Sequence, residues 1–271
     1  MGVLNLTPDS FSDGGLYLKK EKALQRAIQM IEEGVDIIDI GGESSRPGAF
    51  SVSLDEELSR VIPIIEELVS KTDQCLSIDT TKPRVMQEAV AAGACMINDI
   101  AALRSDEALA VAVATKVPVC LMHMQGEPAT MQDAPSYEED VVEVVNNFFK
   151  ENIQRCLEAG ILFENLILDP GFGFGKNAQH NLCLVHRFQA FQVHGLPVLM
   201  GLSRKNTLGV ILNKPVNERT VGGLTAAIDV SLKGAAIIRT HDVEETAQAF
   251  TMLDAIYKQS SQQPLTQGMG T

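Results

Sequence analysis

One phrase recurs along this chain of 271 residues: a helical stretch ends in glycine, and a short apolar run follows that ends in a polar residue. It reads Gly34-Val35-Asp36-Ile37-Ile38-Asp39-Ile40 and Gly93-Ala94-Cys95-Met96-Ile97-Asn98-Asp99. It returns as Gly160 through Asn165-Leu166-Ile167-Leu168-Asp169, and as Gly234-Ala235-Ala236-Ile237-Ile238-Arg239. Glycine after a helix supplies the left-handed cap. Apolar runs without alternation suit strands buried on both faces, hence a parallel sheet. Further strands are expected at 3–5, 75–79, 119–122 and 198–201, which makes eight. Helical patterns lie between them, over 20–33, 54–70, 83–92, 106–115, 137–159, 181–191, 220–233 and 244–257. Eight strands alternating with eight helices in about 250 residues predict an α/β fold, a single-domain (β/α)8 TIM barrel. The alternative is an open doubly wound sheet, but no dinucleotide fingerprint follows the first strand.

The barrel is expected over residues 1–258, with 259–271 a polar, disordered tail. The first strand begins almost at Met1, so a segment upstream of it is expected. With 45% hydrophobic residues the chain can bury a sizeable core. A net charge of −13 argues against nucleic acid and against a polybasic membrane contact. No signal segment or apolar run of membrane-spanning length is read. The five cysteines are odd in number and form no C-x-x-C, so no disulfide framework or zinc site is expected. Reduced thiols in a cytoplasmic protein are the expectation.

A barrel of this kind places its chemistry at the C-terminal ends of the strands. Those positions carry Asn5, Gly41-Gly42-Glu43, Asp79, Asn98-Asp99, Met122-His123, Asp169, Ser203-Arg204-Lys205 and Arg239-Thr240-His241. One such residue would pass as a helix cap; a set at every strand end points to a site. Buried carboxylates need partners, and several N–H donors on one heterocycle edge would supply them. Arg239, His241, Arg204 and Lys205 suit a phosphate or pyrophosphate. The residues therefore fit a small heterocycle carrying a phosphate ester. Gly171-Phe172-Gly173-Phe174-Gly175-Lys176 is too short for a phosphate loop, and Asn177 stands where Ser or Thr should follow the lysine. It reads as a flexible glycine loop. His123 has no second ligand at metal spacing and reads as a supporting residue. His180, His186 and His194 read as inert.

The string Asn5-Leu6-Thr7-Pro8-Asp9-Ser10-Phe11-Ser12-Asp13-Gly14-Gly15, together with Gly41 through Gly48, Ser77-Ile78-Asp79-Thr80, Leu121 through Gly126, Leu168 through Lys176 and the strand-end motifs above, resembles bacterial dihydropteroate synthase over about 1–252. The resemblance implies a barrel transferase of folate biosynthesis, a homodimer and a sulfonamide target. It implies that 4-aminobenzoate displaces pyrophosphate from hydroxymethyl-dihydropterin diphosphate by a dissociative route. Asp79, Asn98, Asp169 and Lys205 would hold the pterin and serve catalysis, with Met122 packed beside it. Asn5, through Mg²⁺, and Arg239, Thr240 and His241 would hold the pyrophosphate. Phe11, Ser45, Pro47 and Phe174 would shape the aminobenzoate pocket, and Arg46 would meet anionic groups. Two loops, 9–15 and 43–52, would close over the site. The family usually has Thr where Ser45 stands. A corrinoid methyltransferase barrel would share the pterin carboxylates but has no use for a diphosphate site. A silent paralogue would lose loop or site residues, and every main position here is filled.

Overall fold

The computed structural model describes residues 1–7, 16–44, 51–126 and 130–260. Eight parallel strands alternate with helices: β1 Gly2–Asn5, α1 Leu16–Glu32, β2 Ile37–Gly41, α2 Leu54–Val69, β3 Cys75–Asp79, α3 Pro83–Ala91, β4 Met96–Asp99, α4 Asp106–Thr115, β5 Val119–Met122 and α5 Val141–Ala159. The order continues β6 Leu166–Asp169, α6 Ala178–His186, β7 Leu199–Gly201, α7 Asn206–Leu212, α8 Thr220–Leu232, β8 Ile237–Arg239 and α9 Val243–Ser260. Strands β1 to β6 form one sheet in chain order and β7 pairs with β8. Two single bridges join these parts, Leu168 with Val198 and Gly2 with Thr240. At the second seam Val3 N–H donates to Thr240 O and Thr240 N–H to Met1 O, each at 2.9 Å. The expected (β/α)8 barrel is therefore closed. Each glycine of the recurring phrase has positive φ, from 90° at Gly34 to 116° at Gly93.

Parallel strands send alternate residues inward and outward. Outward Leu4, Ile38, Ile40, Ile78, Ile97, Leu121 and Leu168 join the helices in the main core. Inward Met1, Met96, Cys120, Ile167 and Leu199 fill the N-terminal end of the barrel as a separate apolar plug. Two residues further along, the inward positions turn polar on five strands, as Asp39, Ser77, Asn98, Asp169 and Arg239, while β1, β5 and β7 present Val3, Met122 and Gly201.

Several expectations are corrected. Helix α7 was not among the expected helices; a Cβ at its Gly209 would lie 2.1 Å from the Arg219 guanidinium, which packs there. Helix α5 starts at Val141 rather than 137, since Asp140 accepts from Val142 N–H and Glu143 N–H as the N-cap. Asn177 caps α6 in the same way, so that helix begins at 178 and gives way to a 3₁₀ turn, Phe188–His194. Helix α9 runs to Ser260, past the start expected for the tail; residues 261–271 lie outside the described residues. Cys75 and Cys95 form a disulfide, against the expectation of reduced thiols throughout. Cys75 opens β3 and Cys95 directly precedes β4. Pairing of those strands brings their Cα atoms to 5.9 Å, a closeness that spacing in sequence does not reveal. Cys120, Cys156 and Cys183 are free thiols.

Candidate functional site

The C-terminal end of the barrel opens into a narrow cleft. Its floor and walls come from alternate strand positions: Val3, Asp79, Asn98, Met122, Asp169, Gly201 and Arg239. Loops following the strands add Ile100, Phe172, Phe174, Ser203, Lys205 and His241. Asp79, Asn98, Met122, Asp169, Phe174, Lys205, Arg239 and His241 were expected from the sequence, and the fold brings them together.

Arg239 is the electrostatic centre. Its Nε meets Asp39 Oδ2 at 2.6 Å and a terminal nitrogen meets Asp79 Oδ2 at 2.7 Å. Asn98 Nδ2 donates to the same Asp39 oxygen at 3.1 Å. Burial works against the arginine's charge, yet Asp39 and Asp79 outweigh it and raise its pKa above the usual range. Burial pushes Asp79 up to about 7, opposed by the charge of Arg239. Burial also raises Asp169, opposed by the bond its Oδ1 accepts from Gly171 N–H at 2.8 Å. Two desolvated carboxylates therefore face a cleft with few polar partners of their own, the setting in which a ligand's N–H donors bind strongly.

The rest of the cleft divides in two. On one side Ile100, Met122, Met124, Met131 and Phe174 form an apolar wall. Lys205 Nζ stands 4.0 Å from the centre of the Phe174 ring, a cation–π contact. On the other side His241 is held by Ser203, whose Oγ lies 3.2 Å from His241 Nδ1 and accepts from His241 N–H at 3.2 Å. Asp242 accepts from Ser203 Oγ at 3.3 Å and binds Arg204. An apolar wall beside two buried carboxylates, with Lys205 over Phe174 and with Arg239 and His241 in the same cleft, suits a planar polar ring bearing an anionic substituent.

Some expected residues lie elsewhere. The Thr240 hydroxyl accepts from Asp242 N–H and from Thr246 Oγ1, each at 3.1 Å, and does not line the cleft. Its backbone instead closes the barrel seam. Glu43 turns outward to Lys82, which also meets the buried Glu57 at 2.5 Å. Phe11, Ser45, Arg46 and Pro47 lie outside the described residues, as do most of the two loops expected to close. The glycine run, expected as a flexible loop, is closely packed. A Cβ on Gly171 would stand 1.8 Å from His123 O, so the loop packs directly on its neighbour. His123 contacts Lys176 rather than the cleft, in keeping with a supporting role.

Asp39 was missed. Its signal was present: a lone acid inside an apolar run, two positions before the strand end and therefore on the inward face. Among the described residues no three His, Cys, Asp or Glu side chains are grouped to hold a metal. Asn5 offers one amide oxygen at the end of β1, beside Gly41. That set fits an ion that arrives with phosphate oxygens, since Mg²⁺ commonly takes few protein ligands and keeps substrate and water oxygens.

Residues 1–241 match the family described as pterin binding enzyme. The dihydropteroate synthase of Escherichia coli K12 is 51% identical over 255 residues, covering 94% of this chain and 90% of that protein. Among solved structures, the Yersinia pestis dihydropteroate synthase with a sulfonamide drug superposes with a TM-score of 0.90 at 48% identity, over 95% of this chain and 94% of the other. The Xanthomonas albilineans dihydropteroate synthase with 4-aminobenzoic acid gives 0.90 at 46% identity, over 95% and 92%.

Proposed function

The chain belongs to the dihydropteroate synthases of the pterin binding enzyme family, and from that premise we propose how this cleft runs the reaction. The enzyme is a transferase of folate biosynthesis. It joins 6-hydroxymethyl-7,8-dihydropterin diphosphate to 4-aminobenzoate, giving 7,8-dihydropteroate and pyrophosphate. The observation that carries this reading is one cleft lined by two desolvated carboxylates, Asp79 and Asp169, together with Arg239, His241 and Lys205. Asp79, Asn98 and Asp169 receive the polar edge of the pterin, and Met122 packs against the ring. Lys205 spans pterin and aminobenzoate beside Phe174.

The methylene C–O bond breaks first, and its electron pair leaves on pyrophosphate. Arg239 and His241 neutralise the departing charge. The electron-rich dihydropterin ring supports a cationic methylene, and Asp79 and Asp169 stabilise that positive charge from fixed positions. The aniline nitrogen then bonds to the methylene and gives its proton to water. Magnesium, held by Asn5 and the diphosphate, supplies further neutralisation of the leaving group when bound. No protein nucleophile is required.

The enzyme works as a homodimer in this reading. Val210 and Ile211 on α7, Val221 on α8, and Met252 and Ile256 on α9 are all exposed on consecutive helices, an apolar face that suits a second copy. Sedimentation gives twice the chain mass if so. A cytoplasmic setting follows from the folate reading; five cysteines alkylated, by mass spectrometry, when cells are lysed into denaturant with a thiol-blocking agent would support it, and three would oppose it.

The decisive experiment is pyrophosphate release from pterin diphosphate with and without 4-aminobenzoate. Release that depends on 4-aminobenzoate supports the reading, and binding without release overturns it. Asp169→Asn should keep its circular dichroism spectrum and lose about a hundredfold or more in turnover. Near-normal kinetics for that variant would sink the assignment.

A further inference from the structure

The run from Gly171 to Lys176 ends in a lysine with no part in the chemistry above. Its side chain is 2% exposed, and among the described residues no carboxylate pairs with it. Burial pushes Lys176 down to about 7 against the attraction of Asp169, since an ammonium taken out of water is costly unless acceptors surround it. Here Nζ has four: His123 Nδ1 at 2.9 Å, Gly171 O and Phe174 O at 3.0 Å, and His123 O at 3.4 Å. Burial, and then the charge of Lys176, push His123 down to about 2, so its imidazole is neutral and turns a lone pair to the ammonium. Three N–H bonds against four acceptors leave no donor over for a ligand. Lys176 does not line the cleft either.

The acceptors come from two different loops. His123 follows β5, while Gly171 and Phe174 follow β6. Their backbones touch at a second point, where a Cβ on Gly175 would lie 2.4 Å from Gln125 O. The loop so held carries Phe174, whose ring meets Lys205. The turn at Gly171 is tied to Asp169 independently, through its own N–H.

We propose that Lys176 is a positioning residue: it bolts the loop after β6 to the end of β5 and thereby sets where Phe174 and Lys205 meet 4-aminobenzoate. The proposal rests on the synthase reading of the cleft. Wild-type pyrophosphate release tests that reading; the ratio of variant to wild type tests the lysine.

Lys176→Met keeps much of the side-chain length and removes all three donors. The expected result is a rise of about tenfold in KM for 4-aminobenzoate, with kcat and the calorimetric affinity for pterin diphosphate each within about threefold. Phe174→Leu should give a similar rise, and the double variant no further one, because both changes act on the same ring. An unchanged KM overturns the proposal. So does an additive double variant, or a joint loss of kcat and both affinities that tracks the folded fraction. Should Lys176→Met fail to fold, His123→Leu leaves the lysine its three carbonyl acceptors. It should raise KM for 4-aminobenzoate about threefold at constant pterin affinity, and loss of pterin affinity instead would overturn the proposal.

Discussion

The two ends of the barrel interior are built by the same strands, two residues apart, and they do opposite things. Met96 is followed inward by Asn98, Ile167 by Asp169, Leu199 by Gly201 and Ile237 by Arg239. The first member of each pair belongs to the apolar plug or packs against it; the second faces the cleft. A parallel strand places residues i and i+2 on one face, so a single step along the pleat turns core into site. The plug needs only apolar volume. The polar end needs each group to have a partner, and it supplies few: Asp39 and Asp79 share Arg239, and Asp39 Oδ1 makes no hydrogen bond among the described residues.

That contrast can be broken from either end. The largest effect on stability is expected at the polar end. Asp39→Asn removes the fully buried partner of Arg239 and should cost about 3–5 kcal/mol, read from urea unfolding. A cost below about 1 kcal/mol would mean that Asp79 alone suffices. At the apolar end Leu199→Ala should cost about 3 kcal/mol through the cavity it leaves, with KM values unchanged in the folded protein. A change in pterin affinity there would show that the ends are not separable.

The third effect depends on pH. Asp79, pushed up to about 7 by burial, accepts ligand N–H groups on both oxygens, and with full charge, only when ionised. Pterin affinity should therefore fall by up to about tenfold per unit as pH drops below about 7, and binding should release a proton. Calorimetry in two buffers of different ionisation heat measures that release, and a flat affinity from pH 6 to 8 would count against it. For folding the sign is reversed. The raised pKa lets the folded protein keep a proton that the unfolded chain gives up near its ordinary 3.8. This group's contribution to stability is thus present at low pH and lost as pH rises toward 7. The smallest effect is expected at Ser77, inside the barrel beside Asp39, whose hydroxyl has no hydrogen-bond partner among the described residues. Ser77→Ala should lie within about 0.5 kcal/mol of wild type.

Much of this was legible beforehand because it is local. Each glycine cap and apolar run marks a helix end and a strand, and five of the eight strands end on a polar residue. Asp79, Asn98, Asp169, Lys205 and Arg239 could be read from those ends alone. Thr240 could not be assigned correctly by position, because closure of the seam uses its backbone and the turn to α9 uses its hydroxyl. Helix α7 spans only seven residues, too few for helical periodicity to show.

The sequence by itself determined the strands, most of the helices and the residues that each strand carries to its end, since periodicity and capping act over a few neighbours. Only closure of the barrel decided which of them meet. Asp39 and Arg239 are 200 positions apart, Lys176 and His123 are 53, and Cys75 pairs with Cys95 across two strands. Such contacts arise because a closed parallel sheet stacks strands that are distant in sequence at a fixed register, and no local pattern of residues encodes which side chain will stand opposite.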